Sequence, residues 1–184
     1  MKELSLHLLD IAQNSVAAGA TTVRIRVEED SSKDRLDMVV TDNGKGMDAE
    51  TVAKVTNPFY TTRTTRKVGL GIPLLKEAAE ACNGMLEIQS EPGKGATLRV
   101  SFQRSHIDRM PLGDLSGTFL TLLIGEPEIN WIFEYQVNSE VFQFDSAPII
   151  QELGGVPLTD PTILSFLREL LETGVRNTQL VSVQ

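Results

Sequence analysis

Two stretches of this chain demand a sheet with one wet and one dry face. "TTVRIRVEE", followed after the polar turn "EDSSKD" by "DRLDMVVTD", alternates apolar and polar residues with period two. "MLEIQSEPGKGATLRVSFQ" does the same further on, bending back at "EPGKG" as a hairpin does. Successive side chains of a strand point to opposite faces, so each run builds a half-buried strand whose apolar row needs a cover.

The cover is written between and before the strands. Residues 3–18 put Leu4, Leu8, Ile11 and Ala12 on one helical side and Asp10 and Asn14 on the other, with Gly19 as the C-cap. "DAETVAKV" predicts a short helix capped by Asp48. "GIPLLKEAAEACNG" predicts a longer one, with Pro73 in its first turn and Gly84 past its end. Residues 1–104 therefore read as a two-layer α/β (α+β) sandwich with helices on one face of a sheet.

Past residue 104 the pattern changes. "LGDLSGTFLTLLIGEPE" reads as a helix ended by Gly125 and Pro127, with a strand as the alternative, and "INWIFEYQVN" with "EVFQFDS" as a hairpin across Asn138 and Ser139. "DPTILSFLRELLETG" predicts a helix with Asp160 as cap, Pro161 in first position and Gly174 as the stop. Residues 105–184 form a small C-terminal α/β domain whose role stays open between regulation, a homodimer surface and a lid over the sheet.

Composition narrows the function. With 41% hydrophobic residues in 184, a packed core is expected. A net charge of −8 repels polyanions, so no nucleic-acid partner is expected. The one cysteine, Cys82, cannot form a disulfide framework within the chain or a structural zinc site alone. No run of about 18 apolar residues is present to cross a bilayer, and "MKELSLHLLDIAQNS" turns polar too early for a signal peptide. A cytoplasmic protein without a membrane partner is expected.

Four segments carry candidate chemistry. In "DIAQN", Asp10 and Asn14 share a helix face, where an amide oxygen can bind a hard cation and a carboxylate can take a proton. In "DNGKGM", Asp42 ends a strand and can accept a hydrogen bond from an exocyclic amine, while Gly44 and Gly46 let the backbone bend. "NPFYTTRTTRKVGLGIP" gathers Arg63, Arg66 and Lys67 before Gly69 and Gly71, which open a helix whose free N–H groups suit phosphate oxygens. "GKGAT" at 93–97 is a hairpin turn. Singly, each also reads as a plain helix face, turn or basic loop.

Together, in this order and spacing, the segments resemble the GHKL ATPase superfamily of gyrase, a heat-shock chaperone, histidine kinases and a mismatch-repair ATPase. "NPFYTTR" looks most like the histidine-kinase catalytic domain, and the resemblance spans residues 3–104. It implies the histidine-kinase-like ATPase fold, with ATP and Mg²⁺ as ligands. Asn14 would bind the Mg²⁺ bridging the phosphates. Asp10 would be the general base, where many relatives have a glutamate one methylene longer. Asp42 would read the adenine amino group, with Gly44 and Gly46 allowing close approach. Phe59 would pack beneath a lid that includes Thr62. Gly69, Leu70 and Gly71 would offer N–H groups to the phosphates, aided by Arg63, Arg66 or Lys67. Relatives often have threonine directly after the last glycine of the final box. Here Ala96 stands there, which leaves Thr97 a marginal part in ATP binding.

"SHIDRMPL", residues 105–112, resembles the segment carrying the phosphorylated histidine of sensor kinases. His106 is therefore a candidate phosphoacceptor, but Ile107 replaces the acidic neighbour and the segment lies downstream of the ATP-binding boxes instead of upstream. A connector turning at Pro111 and Gly113 is the preferred reading. His7, on the side of Asp10, reads as an ordinary polar-face histidine, with orientation of Asp10 as the alternative. The first helix starts within the opening residues, so no sensor, membrane anchor or dimerising hairpin is expected ahead of it.

The function expected is an ATP- and Mg²⁺-binding signalling protein, a kinase-type subunit passing the γ-phosphate to a histidine or serine on a separate protein. The alternatives are a nucleotide-gated binding module of the anti-sigma type and an ATP hydrolase without phosphotransfer.

Overall fold

The computed structural model describes residues 3–56 and 71–181. Helix α1 runs Leu4–Ala17, then come strands β1 (Thr22–Asp30) and β2 (Arg35–Asp42) and helices α2 (Ala49–Val55) and α3 (Gly71–Ala81). Strands β3 (Met85–Glu91) and β4 (Gly95–Gln103) form the expected hairpin. Helix α4 (Leu115–Gly125), strands β5 (Asn130–Val137) and β6 (Glu140–Asp145), and helices α5 (Ser146–Leu153) and α6 (Pro161–Val181) complete the chain.

The strands make one mixed sheet in the order β3-β4-β2-β1-β5-β6. Neighbours are antiparallel except β1 and β5, which run parallel from Thr22↔Asn130 to Glu29↔Val137. The apolar rows fall on one face as the alternation requires: Val23, Ile25 and Val27, then Leu36, Met38 and Val40, then Leu98, Val100 and Phe102. Leu4, Leu8, Ile11 and Ala12 of α1 join them in one core with Leu75 and Ala79 of α3. The other face is charged; Asp37 is held there by Arg35 at 2.7 Å and Arg99 at 3.3 Å, and Arg26 meets Glu134 at 3.0 Å.

Beyond residue 104 the same sheet and core continue. Phe133 of β5 stacks on Phe119 of α4 with centroids 4.2 Å apart, flanked by Trp131 and by Phe144 of β6. The Trp131 indole donates to the Glu126 carbonyl at 3.0 Å, so its one polar atom is satisfied in the core. At the far end of the sheet the Tyr135 hydroxyl donates to Glu29, which also pairs with Arg104; burial, then the Glu29 charge, raise the tyrosine's pKa.

"SHIDRMPL" is wired as a connector. The Pro111 and Leu112 carbonyls accept from the Leu4 and Ser5 N–H groups at 3.0 and 2.9 Å, supplying acceptors that the first turn of α1 cannot provide. Gly113, at φ 80°, has no room for a Cβ, which would stand 2.3 Å from the Glu3 carboxylate.

Two differences from the pattern reading have physical causes. Helix α5 goes unread in the sequence, although Asp145 caps it through the Ala147 N–H and Gly154 ends it at φ 56°. Gly174 does not stop α6, which continues to Val181. It is small for packing instead: a Cβ there would stand 2.1 Å from the Phe142 ring. Alanine normally gains about 1 kcal/mol over glycine inside a helix. Here Gly174→Ala is expected to cost about 1–2 kcal/mol net, because overpacking outweighs propensity. In a Phe142→Leu background the same change should become stabilising. Urea denaturation of the four proteins measures both terms.

Candidate functional site

The carboxyl end of β2, the C-terminal half of α1 and the turn before β4 meet at one place, and Asp42 joins them. Its Oδ2 accepts from the Ser15 hydroxyl at 2.7 Å, and its Oδ1 accepts the Gly44 N–H at 2.9 Å and the Ala96 N–H at 3.3 Å. An ionised carboxylate has about four acceptor positions. Three are filled among the described residues, which leaves one on Oδ2 for an outside N–H. Asn43 pins the turn behind it, accepting from the Thr21 and Thr22 N–H groups, each at 2.9 Å.

The two Gly-Lys-Gly turns pack backbone on backbone. A Cβ on Gly46, at φ 68°, would stand 1.9 Å from the Glu91 carbonyl oxygen, and one on Gly95, at φ 82°, would stand 1.9 Å from that of Asp42. These glycines hold the rim together, in addition to whatever approach they allow a ligand. The Ser90 hydroxyl seals the seam, accepting from the Met47 N–H at 2.8 Å and donating to the Gly95 carbonyl at 2.7 Å.

Asp10 and Asn14 are half-buried on α1. Gly71, the first residue of α3, abuts Asp10 so closely that a Cβ would stand 1.8 Å from Oδ2. The described residues include no cluster of three or more His, Cys, Asp or Glu that could cage a metal. Asn14 carries an amide oxygen, a donor type that a hard cation accepts.

The structure brings Asp10, Asn14, Asp42, Gly44, Gly46 and Gly71 around this end of the sheet. Thr97 is not among them. It lies on the opposite, charged face, its hydroxyl 3.2 Å from that of Thr41, because Ala96 takes the inward position of the alternation. His106 is also elsewhere, in the turn after β4 beside the Arg35↔Gln103 pair that closes the far end of the β2–β4 ladder. Seven strand steps separate that end from Asp42, roughly 23 Å. Its Nδ1 accepts from the Asp108 N–H at 3.2 Å. Phe59, Thr62, Arg63, Arg66, Lys67, Gly69 and Leu70 lie outside the described residues.

Residues 2–106 match the family described as histidine kinase-, DNA gyrase B- and HSP90-like ATPase. The chain belongs to this ATPase family. Similar proteins include the non-motile and phage-resistance protein of Caulobacter vibrioides, 34% identical over 115 residues, 59% of this chain and 14% of that one. The sensor protein kinase FleS of Pseudomonas aeruginosa is 39% identical over 88 residues, 48% of this chain and 22% of that one. The alignments thus span less than a quarter of these relatives' length. Among solved structures, the N-terminal domain of a DNA repair protein shares the fold at a TM-score of 0.55 and 14% identity, covering 79% of this chain and 52% of that chain. That share exceeds the family match, so the likeness of fold continues past residue 106. No described helix of this ATPase-family chain is long and apolar enough to cross a membrane.

Three site features escape the motif reading. Ser15 follows Asn14 and points to the sheet, where only the fold shows that it meets Asp42. The Ala96 N–H acts through backbone that no side-chain pattern encodes. His7 is buried, 3% exposed, not on a solvated polar face. Burial pushes its imidazole below the ordinary histidine value of 6.5, and the Asp10 charge only partly opposes this. Above pH 6.5 folded and unfolded chains both hold a neutral ring. As pH falls below 6.5, the unfolded chain takes up a proton that the folded one resists, so stability is lost. Urea midpoints are therefore expected to fall from pH 7 to pH 5, and to fall less in His7→Leu.

Proposed function

We propose that this chain binds ATP with Mg²⁺ at the Asp42 end of the sheet and serves as the catalytic part of a signalling phosphotransferase. The observation that carries the reading is the Asp42 carboxylate, fixed by three donors with one acceptor position left. An adenine amino group offers the N–H that position lacks. Residues 1–104 form the nucleotide-binding part, and residues 105–184 extend its sheet. Membership of the ATPase family and likeness to a sensor protein kinase support the same reading.

Each residue then has a physical task. Asp42 orients the base, with Ser15 holding its carboxylate in one rotamer. Gly44, Gly46 and Gly95 keep the rim free of side chains. Asn14 offers its amide oxygen to Mg²⁺, which when bound neutralises charge on the phosphates. In this reading the start of α3 at Gly71 meets those phosphates, together with Gly69, Leu70, Arg63, Arg66 and Lys67 of the preceding segment. Asp10, on the same face as Asn14, takes the proton of the attacking hydroxyl or imidazole. The acceptor is a histidine or serine on a separate protein, because His106 stands a strand's length from Asp42.

Calorimetry should show ATP binding that Asp42→Asn abolishes, since an amide turned to donate faces the adenine N–H. Ser15→Ala is expected to raise the ATP Kd about tenfold, the worth of one hydrogen bond to a charged group. Transfer of labelled γ-phosphate to candidate partners should vanish in Asn14→Ala and in Asp10→Asn, the latter with ATP affinity kept. ATP-dependent partner binding that survives intact in Asp10→Asn, with no transfer to any partner, would favour the gated binding module.

A further inference from the structure

The strand that ends in Asp42 stops one residue short of a full pairing, and a side chain makes up the difference. Strands β1 and β2 pair in register as far as Val23↔Asp42. The next pair is Thr22 with Asn43, and half of it forms: the Asn43 N–H donates to the Thr22 carbonyl, at a long 3.4 Å. The returning bond is made differently. The Thr22 N–H donates to the Asn43 side-chain Oδ1 at 2.9 Å, where a continued ladder would offer the backbone carbonyl. The same oxygen accepts from the Thr21 N–H at 2.9 Å, and Nδ2 donates to the Thr21 hydroxyl at 2.9 Å.

With the side chain closing the ladder, the backbone after Asn43 is released from the sheet. It turns at once onto the end of α1. The Lys45 N–H donates to the Ala18 carbonyl at 2.9 Å, and a Cβ on Gly44 would stand 2.9 Å from that oxygen. The Gly44 N–H reaches back to the Asp42 Oδ1, also at 2.9 Å. One of the donors that orient the Asp42 carboxylate therefore sits on backbone whose departure from the sheet is set by Asn43. The footing on the other side is firm. The Thr21 carbonyl accepts from the Asn130 N–H of β5 at 2.9 Å, and the buried Ser146 holds the next residue of β5 through the Trp131 N–H at 2.8 Å.

We infer that Asn43 is a positioning residue for recognition of the base. Its amide oxygen fixes where β2 ends, and with it the Gly44 N–H and the Asp42 carboxylate on which that N–H bears. This rests on the reading of Asp42 as the acceptor for the adenine amino group. Asn43 itself touches no nucleotide in that reading. Its side-chain bonds lie at an exposed place, so water replaces them when the side chain is removed, at little cost to the fold. What is lost is the setting of Asp42.

The test compares the full natural chain with Asn43→Ala and Asn43→Asp. Aspartate keeps the shape and the acceptor for both N–H groups, and the Thr21 hydroxyl rotates to donate to it. Calorimetry with Mg²⁺ present gives Kd for two probes, ATP and purine riboside triphosphate, which differs only in lacking the amino group. The natural chain should prefer ATP by about tenfold, the worth of one hydrogen bond to a charged group. Asn43→Ala should reduce that preference to within about threefold, through weaker ATP binding alone, and Asn43→Asp should restore it. A side chain with a merely structural part would weaken both probes alike. Equal weakening of both, a preference that persists in Asn43→Ala, or an aspartate that restores nothing overturns the inference.

If the natural chain binds neither probe, or binds both equally, the reading of Asp42 falls by itself. The bracing of the turn is then judged by amide exchange at Gly44 and Lys45, whose N–H groups bond to Asp42 and Ala18 and not to Asn43. Faster exchange in Asn43→Ala, reversed in Asn43→Asp, supports it, and equal exchange in all three proteins overturns it.

Discussion

A single carboxylate at the end of β2 gathers this site. Asp42 accepts a hydrogen bond from the Ser15 hydroxyl of α1, one from an N–H of its own turn and another from an N–H of β4, so three separate segments converge on one carboxylate. Charge-assisted hydrogen bonds are the stronger kind, and several donors on one acceptor fix its orientation as well as its position. The glycine turns complete the arrangement by letting backbone meet backbone where any side chain would intrude. Polar groups are thereby presented at a rim that the apolar core, lying deeper under α1 and α3, keeps rigid.

The strands past residue 104 enlarge this platform. Strand β5 adds to the free edge of β1 in parallel and β6 follows it, so the sheet that bears the site at one end is broadened by two strands. Their aromatic stack packs with α4, and α4 in turn packs on α1, the helix that carries Asp10, Asn14 and Ser15. The rigidity of α1 therefore draws on residues far along the chain from the family match.

Most of this architecture could be read from alternation and caps. Both hairpins, the first helix and the Asp48 cap follow from local rules that tertiary packing reinforces. Where those rules failed, packing or backbone geometry had decided the matter. Gly174 looks like a helix stop, but its smallness serves the Phe142 ring. Helix α5 is a short element between two longer ones, with Pro148 inside it and a double glycine at its end. At the site, Asp42 and Asn14 were legible as motif residues, and the strand's alternation alone would have turned Thr97 away from Asp42. Ser15 and Ala96 were not legible, because their contacts with Asp42 join segments distant in sequence, Ser15 standing 27 positions before it.

The carbonyls of Pro111 and Leu112 that meet the first turn of α1 have a consequence for dissection. A fragment trimmed at the end of β4 would keep every motif of the family match yet strip α1, which bears Asp10 and Asn14, of its N-terminal acceptors, leaving two amide protons to water and the first turn to fray. The smallest autonomous unit of this protein therefore runs at least to Leu112, eight residues further than its motifs suggest.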